Sequence, residues 1–310
     1  MNVFYSDQFV LPLPEGHRFP MKKYSMLRER VAADDICGPG ELQAPHAVTD
    51  EEILRAHDPG YLKKVVTGTL TDKEMRRIGF PWSEKMVERS RRASGGTLDA
   101  CRVALEEGLS ANLAGGTHHA FADRGEGFCV LNDSAIAARA LRSEGLVDKV
   151  VVLDTDVHQG NGTASILKGD PHVFTFSIHG AKNFPFHKEE SDLDVGLPDG
   201  ADDGEYLAAL ERGLEEALDR SGADLAIFLA GADLFEDDRL GRLSVTKEGL
   251  AERDRLVLGS CRERGLPVVA TMAGGYARKV EDTVDIHFQT VSQAAALLRS
   301  KQTREDPRHG

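Results

Sequence analysis

The stretch that most restricts what this chain can become runs from Lys149 to Gly162 and reads KVVVLDTDVHQGNG. Val150, Val151, Val152 and Leu153 form a β-branched apolar run without polar alternation, which suits a strand covered on both faces of a parallel sheet. Polar residues then take over at once. Asp154, Asp156 and His158 alternate along the chain, so an extended backbone projects all three to one side. A lone Asp at a strand end is commonly a turn former. Two carboxylates and an imidazole with no other charge among them instead make the start of a divalent-metal site, at the carboxyl edge where open α/β sheets bind ligands. Gly160 and Gly162 then let the backbone turn tightly away.

Around this strand, the sequence alternates. Further strands are expected at 3–5, 111–114, 172–178, 224–230 and 267–272, bounded by glycine, proline and short polar clusters. Helices are expected over 21–33, 51–57, 61–66, 83–108, from 132 or 133 to 145, and over 205–220, 246–264 and 280–299. Within the long helix, Gly95 and Gly96 mark either a close contact or a break. Strands alternating with helices imply an α/β fold with a central, mostly parallel sheet and helices on both faces. No repeat, linker or shift of composition divides the chain. It is read as a single domain over 1–300, followed by a charged tail over 301–310 that is expected to be disordered.

A chain of 310 residues, 41% hydrophobic, is long enough for a sizeable core. No apolar run approaches the length needed to cross a bilayer, and the start, MNVFYSDQF, lacks the basic and long apolar segments of a signal peptide. A cytoplasmic enzyme is expected. Cys37, Cys101, Cys129 and Cys261 are scattered, so free thiols are expected rather than a thiolate zinc knuckle or a disulfide framework. With 51 acidic against 38 basic residues the net charge is −13, which opposes direct nucleic-acid binding and suits solubility or the capture of cationic substrates.

Four other stretches carry chemistry. Gly115, Gly116, Thr117, His118 and His119 place adjacent histidines at a strand end, where each imidazole has two polar nitrogens to satisfy. Taken alone, that pattern reads as a solvated turn. GEGFCVLND, at 125–133, sets Phe128 in a glycine-rich turn and offers Asn132 or Asp133 as the cap of the next helix. The strand at 224–230 delivers Gly231, Ala232 and Asp233, a second carboxylate at a carboxyl end. The strand at 267–272 delivers Gly274, Gly275 and Tyr276. A loop over 180–204 contains Phe184, Pro185 and Phe186. His17 and Phe19, in an early proline-rich loop, are further candidates to line a site.

GGTHHA, GFCVLND, LDTDVHQGNG, AGADLFEDDRLG and AGGY occur in the order found in the zinc-dependent histone deacetylase family, so the chain resembles that family from about Ser94 to Tyr276. Gln159, Asn161, RGEGFC and DDRLGRLS are most similar to class IV deacetylases and their bacterial relatives. The resemblance implies the arginase/deacetylase fold and a set of roles. Asp156, His158 and Asp233 would hold zinc with positions open for water and the substrate carbonyl. His119 would be the general base, with His118 beside it held by Asp154, and Asn161 bonded to His119. Tyr276, on the pair Gly274 and Gly275, would donate to the oxyanion. Phe128 and Phe184 would wall a narrow tunnel, with room left by Gly127. A structural potassium or sodium ion would sit near Asp154, Asp156, His158, Ser177 and Ile178.

The expected reaction is removal of an acetyl or longer acyl group from acyl-lysine, in a protein or peptide. Acetylpolyamines and other small acetylated amines are the alternative substrates. Gln159 replaces a histidine found in many family members, Asn161 stands where class I enzymes have aspartate, and no acidic residue between Leu70 and Trp82 is assigned to hold a substrate backbone. Two different readings compete. DTDVH after a hydrophobic strand also resembles the nucleophile motif of magnesium-dependent haloacid-dehalogenase phosphatases, although that leaves the histidine pair and Tyr276 idle. A non-catalytic acyl-lysine binding protein is the other. A two-manganese, arginase-like site is disfavoured, since the later strand offers only Asp233.

Overall fold

The structure, a computed structural model, describes residues 1–34 and 36–305. The chain begins with β1 (Val3–Phe4), α1 (Lys22–Ala33) and β2 (Leu42–Gln43), and then runs through four helices, α2 (Asp50–Leu54), α3 (Pro59–Thr67), α4 (Asp72–Ile78) and α5 (Glu84–Glu107). Alternation follows: β3 (Leu109–Asn112), α6 (Asp133–Ser143), β4 (Val150–Asp154), α7 (Asn161–Leu167), β5 (Val173–Gly180) and β6 (Leu193–Leu197). The last part comprises α8 (Asp203–Ser221), β7 (Leu225–Leu229), α9 (Lys247–Glu263), β8 (Val268–Thr271) and α10 (Val280–Glu305). No helix among the described residues is long and apolar enough to cross a membrane.

Local chemistry sets the short helices. Thr49 and Thr71 each close a capping box with the glutamate three residues on, and Asp58 caps α3 just before a proline at its first position. Gly68, Gly79 and Gly108 end α3, α4 and α5 in the left-handed conformation.

One sheet holds all eight strands in the order β2-β1-β3-β8-β7-β4-β5-β6, and every neighbouring pair is parallel. Its two faces bury different residues of the same strands. Val151, Leu153, Ala226 and Phe228 join a core with α1, α8, α9 and α10, whereas Val150, Val152, Leu225 and Ile227 join a core with α2, α3, α5 and α6. That double burial is why the valine run shows no alternation. It also fixes the register, since a slip by one residue would exchange the two faces.

The strand order positions the chemistry. β3, β8, β7 and β4 are consecutive neighbours, so the four segments that follow them meet at one edge of the sheet: the histidine pair, the Tyr276 loop, Asp233, and Asp156 with His158.

The fold bears out the α/β reading and makes the sheet wholly parallel. Several boundaries differ from expectation. α5 is unbroken, and Gly95 and Gly96 mark close approaches to His46 and Asn112 instead. β3 starts two residues before the expected 111, because Leu109 and Ser110 pair with Val268 and Val269. β2, α4, α7 and β6 were hidden by their shortness and, for β6, by a half-exposed edge position. α10 runs on to Glu305, past the boundary at 300. The rest of the expected disordered tail, 306–310, lies outside the described residues.

Candidate metal centre

Asp156, His158 and Asp233 are buried, and each offers one ligand atom within 4.8 Å of the others. Nδ1 of His158 lies 3.0 Å from Oδ1 of Asp156 and 3.2 Å from Oδ2 of Asp233. The remaining carboxylate valences are turned to the backbone. Asp156 Oδ1 accepts from the His158 N–H (2.9 Å), Asp156 Oδ2 from the Gly274 N–H (2.8 Å) and Asp233 Oδ1 from the Val157 N–H (3.1 Å). Oδ2 of Asp233 has no hydrogen-bond partner although it is fully buried. A buried carboxylate oxygen left open beside a second carboxylate is costly unless a cation meets it.

The electrostatics agree. Burial, and then the charge of Asp156, push Asp233 up to about 6. Burial opposes a charged His158, but Asp156 and Asp233 outweigh it and push the imidazole up to about 10. A divalent ion at the centre of the three would replace that proton. Two carboxylates and one imidazole with further positions open fit zinc, and Gly274 leaves the space: a Cβ there would stand 2.0 Å from Asp233 Oδ2 and 2.6 Å from Asp156 Oδ2.

The histidine pair is held from behind. Nδ1 of His118 donates to Asp154 Oδ2 (2.6 Å), and Nδ1 of His119 donates to Asn161 Oδ1 (2.7 Å). Burial works against charge on His118, but Asp154 and Asp156 prevail and push it up to about 9. His119 differs. Burial, and then the imidazoles of His118 and His158, hold it well below the usual histidine range. Two adjacent imidazoles are thus shifted in opposite directions: His118 upward by the carboxylates of Asp154 and Asp156, and His119 downward by burial and by the imidazoles on either side, with only the Asn161 amide behind its ring.

The loop that carries them is fastened by Asp133. Asn132 caps α6 through Ala135 (3.0 Å), which leaves Asp133 to accept from the N–H groups of Gly116 (2.9 Å) and Thr117 (2.7 Å) and from the hydroxyls of Thr97 (2.6 Å) and Thr117 (2.7 Å). The two candidate caps thus have separate tasks.

A cavity of about 570 Å³ opens onto this floor, lined by His118, His119, Gly127, Phe128, Phe184 and Tyr276 among others. Phe184 stands edge-on to His119 at 5.0 Å, and Gly127 lies against the same imidazole, where a Cβ would come within 2.6 Å of Cδ2. Phe128 lies 5.9 Å from Tyr276 and 5.4 Å from both Phe19 and Phe80. Burial pushes the Tyr276 phenol well above its usual range, so it stays a donor. Its N–H is fixed by Asp238 (2.6 Å), and Lys23 Nζ bonds the carbonyls of Ala273 (3.4 Å) and Gly275 (3.3 Å) beneath the ring.

Of the residues expected at a site, eleven line this cavity, Phe19 among them, and His17 does not; Asp154 and Asn161 stand behind the histidines, and Gly275 behind Tyr276. Ser177 pairs in register with Asp154, and Ile178 follows it on β5, away from the cavity. Gln159 ties the Phe184 loop to the floor through Glu189 and Asp194 (2.7 and 2.8 Å). Sequence reasoning did not find Lys23, Asp133 or Asp238 as supports, nor Arg18, Arg77, Lys182 and Arg242 around the cavity mouth. For Asp238 a signal existed, since it sits in AGADLFEDDRLG, five residues after Asp233 in the same motif. For Lys23 and Arg77, each the second of two adjacent cations in a helix, there was none.

Comparison with known proteins places this architecture. Residues 17–291 match the histone deacetylase domain. An uncharacterized protein of Picosynechococcus sp. is 46% identical over 285 residues, covering 92% of this chain and 95% of that protein. Histone deacetylase 2 of Arabidopsis thaliana is 27% identical over 301 residues, covering 92% of this chain and 78% of that protein. The crystal structure of a histone deacetylase homologue from Aquifex aeolicus shares the fold with a TM-score of 0.82 at 22% identity, over 95% of this chain and 84% of that one.

Proposed function

This chain belongs to the histone deacetylase family, and on that premise we propose that it is a zinc-dependent amidohydrolase that removes acetyl or longer acyl groups from the side-chain nitrogen of lysine. The observation that carries the reading is the buried Asp156–His158–Asp233 triad at the floor of a cavity that also receives His118, His119 and Tyr276. Zinc held there would polarise the acyl carbonyl and acidify the attacking water.

The chain's own groups supply the rest. His119, with Nδ1–H engaged by Asn161, keeps Nε2 free to take a proton from water and return it to the departing amine. His118, kept positive by Asp154, stabilises the negative charge that develops nearby. Tyr276 donates its phenolic proton to the oxyanion. Phe128 and Phe184 exclude water from around the aliphatic chain, and Gly127 keeps that passage open. A monovalent cation beside Asp154 and Ser177 belongs to the same proposal, as does a single catalytic domain over 1–300.

Zinc-loaded protein assayed against acyl-lysine peptides of increasing acyl length tests the reading. Amine release is expected, lost on chelation and restored by zinc. Stoichiometric zinc with no amide hydrolysis of any substrate would leave a binding protein instead.

A further inference from the structure

The cavity mouth carries a charge opposite to that of the molecule. Arg18, Arg77, Lys182 and Arg242 all line the cavity and are exposed at its entrance, in a chain of net charge −13. The side chains of three of them, Arg18, Arg77 and Lys182, have no hydrogen-bond or ion-pair partner among the described residues, and the Arg242 guanidinium meets only the exposed Asp199 at 3.2 Å. Acidic groups are nearly missing. Besides the two carboxylates of the floor, only Glu126 lines the cavity, and it lies 3.9 Å from Arg124.

The cations fall on two sides. Arg77 lies in the last turn of α4, where its carbonyl receives the Gly127 N–H at 3.1 Å, and His17, next to Arg18, reaches the Gly79 carbonyl at 2.9 Å. Those two flank Phe128. Lys182 adjoins Asn183 and Phe184, and Asn183 binds the Leu240 carbonyl at 2.9 Å, which joins that loop to the segment bearing Arg242. Those two flank Phe184. On the segment from Leu70 to Trp82, Glu74 is spent on its capping box and Lys64 and Asp72 does not line the cavity, whereas Arg77 does.

We propose that the polypeptide presented to this site carries carboxylates on both sides of its acylated lysine. The inference rests on the hydrolase reading for the identity of the group entering the cavity. Unpaired guanidinium groups suit carboxylates, and a ring of like charge at a cleft attracts the matching ion and repels cations. Acetylpolyamines and lysine-rich segments, which the overall negative charge would have favoured, are disfavoured at the opening itself.

Three acetyl-lysine peptides of equal length, flanked by aspartate and glutamate, by serine and glycine, or by lysine and arginine, test this. With zinc-loaded enzyme at low salt, kcat/KM is expected to fall from acidic to neutral to basic flanks, with a spread of about tenfold or more that shrinks as salt rises. Combined Arg18→Gln, Arg77→Gln, Lys182→Gln and Arg242→Gln is expected to draw the three together, through KM rather than kcat. The salt titration of the unsubstituted enzyme makes the same test should that variant fold poorly. Equilibrium binding of the same peptides, followed by fluorescence anisotropy, separates the two ideas: acidic peptides bound best without turnover would overturn the hydrolase reading alone. Equal or basic-first binding, at any salt, overturns this one.

Discussion

The floor of the cavity and its mouth are built on opposite physical terms. On the floor, Asp156, His158, Asp233, His118 and His119 are buried, and nearly every polar atom is committed to a named partner. Oδ2 of Asp233, buried without a hydrogen-bond partner, is left open beside the other two ligand groups, and Nε2 of His119 is left free toward the cavity. At the mouth, the cations are exposed, and three of the four are unpaired. Low dielectric makes each floor interaction strong and each loss expensive; screening makes each mouth interaction weak and its loss graded. The difference teaches where chemistry is fixed and where selection among substrates can vary cheaply.

The largest effects should therefore come from the floor. Asp156→Ala, His158→Ala and Asp233→Ala each remove one of only three protein ligands, and each is expected to lower zinc content and abolish hydrolysis. Metal analysis beside the activity assay checks this. Full zinc occupancy in all three variants would break the contrast at its root.

Tyr276→Phe comes next, because it keeps the ring among Phe19 and Phe128 and deletes only the donor. Loss of one oxyanion donor costs about 100-fold to 1,000-fold in turnover. The effect should appear in kcat, with zinc content unchanged. Near-normal kcat on an acetyl-lysine peptide would make Tyr276 a wall of the cavity and nothing more.

These two regions also differ in how far the sequence reveals them. The floor was legible because strand ends impose order: the valine run predicts β4, and its polar sequel predicts Asp154, Asp156 and His158 on one side. The neighbourhood of β3, β8, β7 and β4 then brings together motifs that are separated by more than a hundred residues. The mouth was not legible. Arg77 sits on α4, a seven-residue helix without a strong apolar period, and Lys182 and Arg242 lie in loops, distant in sequence, that are joined by a bond from Asn183 to Leu240. Composition did not locate it, since a net charge of −13 suits solubility or the capture of cationic substrates and says nothing about where the protein's own cations gather. Asp133 is an intermediate case: a cap was expected at 132 or 133, and only the fold shows that the second carboxylate turns back to the histidine loop.

That carboxylate gives a stability version of the comparison. Asp133→Asn replaces one acceptor oxygen by an amide nitrogen and leaves a buried donor of Gly116 or Thr117 unpaired, a loss of about 1–3 kcal/mol. Arg77→Gln at the mouth breaks no side-chain hydrogen bond or ion pair among the described residues and should change stability by less than about 0.5 kcal/mol. Urea midpoints with equal slopes measure both. Equal losses would show that Asp133 is not what fastens the loop.

The smallest effect is the most discriminating. Asn161 meets His119 with a neutral amide oxygen at 2.7 Å, so it fixes the tautomer without adding a countercharge. Burial and the neighbouring imidazoles already hold His119 well below the usual histidine range, and a base must be neutral to accept a proton. Asn161→Asp places a carboxylate against the same nitrogen and stabilises the imidazolium. The pKa of His119 must then rise, and a group protonated at higher pH loses its base function at higher pH. The acidic limb of kcat/KM is accordingly expected to move upward, with zinc content unchanged. Because zinc-bound water titrates in the same region, the comparison between the two proteins, and not the position of either limb, carries the test. Arg77→Gln supplies the opposite arm: its charge lies at the exposed mouth, screened by water and salt, and it should leave the limb where it was. A limb that moves with Arg77→Gln and stays put with Asn161→Asp would reverse the assignment of chemistry to the floor and selection to the mouth.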